Sequence, residues 1–377
     1  MEQTILARRP WLESPGLFSY GFTSAAVDDE GPADGEIVSR LIEAYRRAAD
    51  DSPQGGATND LWTVLVSTHH QELIDLVRRR DSTALLRYLQ KLPRMPAGSG
   101  FLQGAAVFNS LEADAKTQQL RALWLMDNLV GMAEAVGVLP AGRTPPDKAS
   151  AAELRVTVER EIGAPVHFPR IFDGLFALEP DAAPMHLRSL TTSYAIWQVV
   201  RFLSEIEEID RSELRVAEIG AGSGFTGLVA RELGVKSYTI YDLPEVNLVQ
   251  GYLLLKTLPP DDIRLYGEPD RGQWIAIQPG FAFDEAPSGA FDVAINVDSM
   301  PELARSEADR YLARLPTVSR WFFSVNLEPQ GGKTSYGTPL SVVRQLVADK
   351  PGYRQVLRYQ NWIRGGWVDE LWKLSQA

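Results

Sequence analysis

One stretch, Arg215-Val-Ala-Glu218-Ile-Gly220-Ala-Gly222-Ser-Gly224-Phe225, restricts what this chain can fold into more than any other. A short apolar, β-branched run leads directly into three alternating glycines, and a helical pattern resumes near Thr226. Glycine is needed at such a turn because its backbone angles are ones a Cβ would obstruct, and because a ligand must approach the main chain closely. The next strand-like run, SYTIYD, ends on Asp242. An acid at that strand tip accepts hydrogen bonds from two adjacent ribose hydroxyls, so the pair of features predicts a site for a nucleoside cofactor.

The glycine spacing bears on which nucleoside it is. A G-x-G-x-x-G dinucleotide fingerprint starting at Gly220 needs glycine at 225, where Phe225 stands. Starting at Gly222 satisfies the pattern with Gly224 and Gly227. That register lies six residues past Val216, inside the helix, which is poor geometry for holding pyrophosphate on a helix N-terminus. Glu218 would also set a carboxylate toward the phosphates. A cofactor with a cationic amino-acid part, such as S-adenosylmethionine, suits that carboxylate better, and a nicotinamide oxidoreductase is correspondingly disfavoured.

The texture around this motif divides the chain. From about residue 212 short β-branched runs recur, LRVAEIG, SYTIYD, FDVAINV, WFFSVNL, YRQVLRY and VDELWKL, mostly separated by helical stretches. That alternation predicts βαβ units and a largely parallel sheet. The last two runs are joined only by a few residues around Gly365 and Gly366, too short for a crossover, so they form an antiparallel hairpin. The third strand has two contenders, IRLYGE (263–268) and WIAIQPG (274–280). Before residue 185 the patterns are helical: Glu36 to Asp50, Asp60 to Arg80, Leu111 to Val138, Ala151 to Ile162, with a further helix from Ser189 to Ile209. The acidic segment 23–35 reads as mobile, and the proline-rich 139–150 as a linker or long loop. The expected organisation is an N-terminal all-helical domain, 1–185, serving as cap, substrate or dimerisation domain, and an α/β domain, 186–377.

Composition excludes several function classes. With 377 residues and 23% charged, 45% apolar content, this is an ordinary globular chain. The absence of cysteine removes disulfides, thiolate metal sites and cysteine nucleophiles. A net charge of −11 argues against nucleic acid as the main partner, since that affinity comes from clustered Lys and Arg. No signal-peptide run and no apolar stretch of about 20 residues is found, so the expectation is a soluble cytoplasmic protein without membrane contact.

At this point the sequence resembles the class I S-adenosylmethionine-dependent methyltransferases over roughly residues 185–377, through Glu218-Ile-Gly220-Ala-Gly222-Ser-Gly224 and Asp242. More narrowly it resembles the bacterial sugar O-methyltransferase family. The matching pieces are EIGAGSGF, YTIYDLPEVNLVQGYLL (238–254) and FDVAINVDSMPEL (291–303), together with IGAPVHFPRIFDGLF (162–176) in the helical half. The resemblance implies a Rossmann-like seven-stranded methyltransferase sheet, mostly parallel with an antiparallel last strand. It implies S-adenosyl-L-methionine as cofactor and methyl transfer to a hydroxyl of a sugar or sugar-containing small molecule. It also implies that Gly220, Gly222 and Gly224 line the methionine moiety, Glu218 orders the loop, Asp242 holds the ribose and Leu243 lies against the adenine. Phe281 and Asp284 are further candidates on the adenine side.

Methyl transfer is an in-line displacement, and a sugar hydroxyl has a high pKa, so a general base or a metal is expected. NVDSMPEL follows the fourth predicted strand at its carboxyl end, where open α/β sheets bind ligands. Asn296, Asp298 and Glu302 therefore face the reacting groups, with Asp298 the first choice as base; helix N-capping is the alternative role for it. Asp298 with Glu302 could instead hold Mg2+. His167 and His186 are further base candidates, ahead of His69 and His70. Arg188 and Tyr194 are candidates for the cofactor's carboxylate. Trp362 and Trp367, with Lys333 and Tyr336 of the 330–337 loop, suit a mouth that stacks a pyranose and closes over it. A non-sugar acceptor (amine, phenol or carboxylate) and a non-catalytic dimeric scaffold with a relict pocket stay open as alternatives, and the helical half leaves room for a homodimer.

Overall fold

The computed structural model describes all residues except 25–31, 54–59, 143, 144, 146, 329–331, 335, 376 and 377. Part of the acidic segment 23–35, part of the 139–150 linker and part of the 330–337 loop therefore lie outside the described residues. Two compact units emerge, each discontinuous in sequence. One comprises Met1–Glu30, Arg87–Trp197 and Trp362–Arg364; the other comprises Gly31–Leu86, Gln198–Asn361 and Gly365–Ala377. The helices between Pro32 and Leu86 thus share a unit with the sheet.

The first unit is helical apart from a two-stranded antiparallel pair, β1 (Tyr20–Phe22) with β2 (Phe176–Leu178). The helical run expected from Leu111 to Val138 is two helices, Ala105–Ala113 and Ala115–Ala135. Asp114 breaks it: its backbone is extended, and its carboxylate caps the second helix by accepting from the N–H groups of Lys116 and Thr117. The Ala151–Ile162 helix is bounded as its sequence reads, by a Ser150/Glu153 capping box and a left-handed Gly163. Arg9 is buried and fastens the N-terminal helix by pairing with Asp127 at 2.7 Å and Glu134 at 2.7 Å.

The second unit carries eight strands: β3 (Arg215–Ile219), β4 (Ser237–Asp242), β5 (Ile263–Arg264), β6 (Ile275–Pro279), β7 (Phe291–Val297), β8 (Ser319–Leu327), β9 (Tyr353–Gln360) and β10 (Trp367–Leu374). Their order across the sheet is β5-β6-β4-β3-β7-β8-β10-β9. Every pairing is parallel except those of β10, which runs antiparallel to both β8 and β9. This is a mostly parallel, Rossmann-like sheet with an antiparallel last strand. Both contenders for the third strand are strands: β6 pairs with β4, and the two-residue β5 adds an eighth strand at the edge.

β7 is buried along its whole length, as a strand with both faces covered must be, which explains its unbroken apolar sequence. One face packs Phe283, Tyr311, Leu312, Phe322 and Leu346 into a core. Against the sheet lies the Pro244–Thr257 helix, apolar on most sides, and the Pro32–Asp51 helix packs on it in turn. Gly251 allows that approach, because a Cβ there would overlap Leu41. The Asp60–Arg80 helix of the sequence reading is two, Leu61–His69 and Gln71–Arg78, broken at His70. His70 is fully buried, and burial lowers its pKa to about 4. No helix among the described residues is long and apolar enough to cross a membrane.

Candidate functional site

The glycine turn sits where the strand order reverses, between β3 and its two parallel neighbours β4 and β7, at the carboxyl ends of all three. Gly220, Gly222 and Gly224 have φ of 72°, 56° and 81°, the left-handed region in which a Cβ is strained. A Cβ at Gly220 would also overlap the hydroxyl of Ser299. Gly224 caps the Phe225–Glu232 helix and packs on Gln250, with its hypothetical Cβ 3.1 Å from that side chain. Glu218 does not line the turn's surface. It is 1% exposed and accepts a 2.8 Å hydrogen bond from the Tyr238 hydroxyl. Burial raises its pKa to about 7, against that hydrogen bond.

Asp242 ends β4 half-buried beside the turn. Its Oδ1 accepts from the Leu243 N–H at 2.8 Å and its Oδ2 from the Gln250 amide at 2.7 Å. The same Gln250 Nε2 donates to the Gly222 carbonyl at 3.2 Å. Burial is the leading influence and pushes the Asp242 carboxyl up to about 7, opposed by these donors. Gln250 is completely buried, and its Oε1 has no partner. Of the neighbours Gln250 and Gly251, one joins turn to strand tip and the other admits a packing helix.

At the end of β7, Asn296 is fully buried and its amide is committed within the protein. Its Nδ2 donates to the Ile219 carbonyl (2.8 Å) and to Ser299 Oγ (2.5 Å), while its Oδ1 accepts from the Met300 N–H and from Asn326. It ties the ends of β3, β7 and β8 together. Asp298 follows, half-buried, with φ of 65°, a left-handed backbone that non-glycine residues adopt mainly where their surroundings enforce it. Its N–H donates to the Val325 carbonyl at 3.0 Å, and its Oδ1 accepts from the Trp367 indole N–H. Ser299, not Asp298, occupies the cap position of the Met300–Glu302 turn of 3-10 helix. Glu302 ends that turn, half-buried. Among the described residues no group of three or more His, Asp or Glu is placed to hold a metal ion.

Trp367 also lines a cleft of about 410 Å3 with Glu328, Arg358, Tyr359, Gln360, Gly366 and Val368. Arg358 donates to Glu370 at 2.6 Å and to Glu328 at 2.8 Å. Behind it, fully buried Asp369 accepts from Asn361 at 2.8 Å and Gln198 at 3.2 Å, and burial raises its pKa to about 6. The Arg358–Glu328 and Gln198–Asp369 pairs, like that of Trp367 with Asp298, join residues far apart in sequence and had no local signature.

The structure thus brings Glu218, Gly220, Gly222, Gly224, Asp242, Leu243, Asn296, Asp298 and Glu302 into one unit. His167, His186 and Tyr194 belong to the other. There His167 Nδ1 meets Glu159 at 2.5 Å, and Tyr194 stacks on Trp197 with centroids 6.0 Å apart. His186 is buried, accepts from the Arg188 N–H, and is held neutral by burial and by Arg121 and Arg188. Trp362 also lies in that unit and is 53% exposed. Phe281 packs edge-on against Tyr266, and Asp284 pairs with Arg310 at 2.8 Å. Tyr336 contacts His69 through a 2.8 Å hydrogen bond, and Lys333 is exposed.

No protein-family model and no curated protein matches this sequence. Among solved structures it is similar to 1,6-didemethyltoxoflavin-N1-methyltransferase of Burkholderia thailandensis, with 15% identity over 49% of this chain and 80% of that one, and a TM-score of 0.35. A second is magnesium protoporphyrin IX methyltransferase of Synechocystis, with 12% identity over 51% and 86% and a TM-score of 0.35. A third is a ribosomal protein methylase of Lactobacillus delbrueckii subsp. bulgaricus, with 16% identity over 50% and 80% and a TM-score of 0.32. The first was determined with S-adenosylhomocysteine and its toxoflavin compound bound, the second with S-adenosylmethionine.

Proposed function

We propose that this chain is an S-adenosylmethionine-dependent O-methyltransferase acting on a hydroxyl of a sugar or sugar-containing small molecule. The observation that carries the reading is the Gly222–Gln250–Asp242 linkage, which joins the glycine turn to a half-buried acid at the neighbouring strand tip. Such a pairing suits a nucleoside without phosphates: the turn offers close main-chain approach, and Asp242 retains acceptor capacity for two ribose hydroxyls. The residues fit S-adenosylmethionine on this ground. Gly220 and Gly224 let the turn pack on Ser299 and Gln250 where a Cβ would clash, with Leu243 beside Asp242 on the adenine side.

When bound, that cofactor supplies an electrophilic methyl group. The chain's own task is then to orient the acceptor, exclude water and take a proton from its hydroxyl. Asp298 is the base in this reading. It lies past the end of β7, and its Oδ1 accepts from the Trp367 indole N–H. Isothermal titration with S-adenosylhomocysteine, with NAD as control, tests the cofactor. Binding of the former alone supports the proposal, and binding of NAD alone overturns it. If neither binds, a scaffold with a relict pocket takes its place. An acceptor screen over neutral and modified sugars, with and without Mg2+, then tests substrate class and metal dependence.

A further inference from the structure

Three arginines gather in the helical unit: Arg121 on the Ala115–Ala135 helix, Arg188 at the start of the Leu187–Glu205 helix, and Arg364 in the Trp362–Arg364 segment. That segment lies on the first of these helices, since a Cβ at Gly131 would stand 3.5 Å from the Trp362 carbonyl and 3.8 Å from the Ile363 Cα. All three arginines are half-buried, and Arg188 and Arg364 are close enough to Arg121 to disfavour its charge. Arg188 reaches the Gly100 carbonyl at 3.0 Å and, like Arg364, has other partners as well.

Arg121 differs from both. Its side chain makes no hydrogen bond or ion pair with any described residue, and its guanidinium lies over the Trp124 ring, 4.4 Å from the ring centre. A ring face steadies a cation less than a carboxylate does once water is withdrawn. Burial first, then Arg188 and Arg364, pull its pKa down to about 10, so it stays charged at neutral pH. Beside it His186 is 2% exposed and neutral, because burial, Arg121 and Arg188 all oppose its protonation. The His186 Nδ1 accepts from the Arg188 N–H at 3.2 Å, which leaves its one proton on Nε2, and that buried donor has no acceptor.

The charged groups that act on Arg121 and His186 are therefore cations only, in a chain whose net charge is −11. Gathering like charges away from water, with an unanswered donor next to them, costs folding free energy and returns none within the protein. An anion reverses that balance, because its oxygens take guanidinium donors in pairs at short range. The recess suits a small group better than an extended polyanion, which binds on open surface.

We infer that Arg121, with Arg188 and Arg364, forms a seat for an anionic group, the carboxylate or phosphate of a small-molecule ligand. The inference stands apart from the reading of Asp298 as base and from the glycine turn. Two sources offer such a group: the carboxylate of the cofactor's amino-acid part, and an acidic or phosphorylated sugar.

The test uses the full chain with 15N-labelled arginine, the Arg121 Nε–H resonance being assigned by its loss in Arg121→Gln. Inorganic phosphate, methyl glucuronide and glucose 6-phosphate are titrated at constant ionic strength, with methyl glucopyranoside as the neutral control. At least one anion is expected to move the Arg121 resonance while the neutral sugar leaves it in place. Its affinity is expected to fall at least about tenfold in Arg121→Gln. With no anion added, that variant is expected to melt a few degrees higher, since an uncompensated charge is gone, which also shows that it folds. Arg121→Lys keeps the charge and loses the fork, so it gives the same assignment with an intermediate loss. S-adenosylhomocysteine and 5′-methylthioadenosine, which lacks the carboxylate, separate the two sources. Loss for the first alone in Arg121→Gln places the cofactor's carboxylate in the seat; unchanged affinity for both, with loss for an acidic sugar, places the sugar's anion there. The inference is overturned if no anion, S-adenosylhomocysteine included, moves the Arg121 resonance. It is equally overturned if Arg121→Gln binds every anion as tightly as the unchanged chain; a lowered melting temperature would then mark Arg121 as a packing residue on Trp124.

Discussion

Two aspartates stand at the carboxyl edge of the same sheet and are held in opposite ways. Asp242, at the end of β4, accepts from Leu243 and Gln250, one and eight residues away, and is also hydrogen-bonded by the backbone of Gly222 in the nearby turn. Asp298, past the end of β7, is held by Trp367, 69 residues further along the chain. The first sits on an ordinary strand end, and burial raises its pKa. The second sits on a left-handed backbone that its surroundings impose. A binding group can be specified by a local motif. Asp298, the base in the proposed reading, is set instead by a contact the rest of the sheet has to deliver.

If the two ends have separate tasks, their substitutions separate as well. Asp298→Asn is expected to lower kcat for the acceptor found in the screen by about 10²–10⁴-fold, with S-adenosylhomocysteine affinity unchanged by calorimetry. A parallel loss of affinity would show that the two ends are one site. Asp242→Ala should do the reverse, weakening S-adenosylhomocysteine by about 10–100-fold through loss of charge-assisted hydrogen bonds. Gln250→Leu is expected to cost about tenfold in the same titration, since Asp242 loses a donor and the turn loses its tether; unchanged affinity would make Gln250 a packing residue only.

The smallest effect concerns Glu218 and appears as pH dependence. Its folded-state pKa is about 7, above the ordinary 4.5, because burial disfavours its charged form. Between those values the folded protein keeps a proton that the unfolded chain has released. Stability therefore falls as pH rises from about 4.5 to 7, and the loss is complete above 7. Glu218→Gln should raise the melting temperature at pH 8 by a few degrees, on the order expected for about 1 kcal/mol, and change little at pH 4.5. Asp242 titrates in the same direction, so the slope is reduced rather than abolished. A gain at pH 4.5 as large as at pH 8 would contradict a buried, protonated Glu218.

Several features were readable from residues alone because they depend on near neighbours. The parallel sheet followed from alternating β-branched runs, the final hairpin from the short connection at Gly365 and Gly366, and the tight turn from three glycines, all of which have positive φ. Helix limits were less legible where one polar side chain decided them. Asp114 reads as part of a long helical run until its carboxylate is seen capping the next helix. Residue types near the motif were legible as well, but not their partners: the Asn296 amide is spent on Ile219, Ser299, Met300 and Asn326.

By itself, then, the sequence determined the fold class and the glycine turn after β3, because backbone conformation and strand periodicity are set within a few residues. The tertiary structure alone decided that Glu218 meets Tyr238, that Gln250 ties Gly222 to Asp242, and that β10, inserted between β8 and β9, brings Trp367 to Asp298. Those contacts join distant stretches of chain, and no local spacing encodes which side chains meet once the strands are laid side by side.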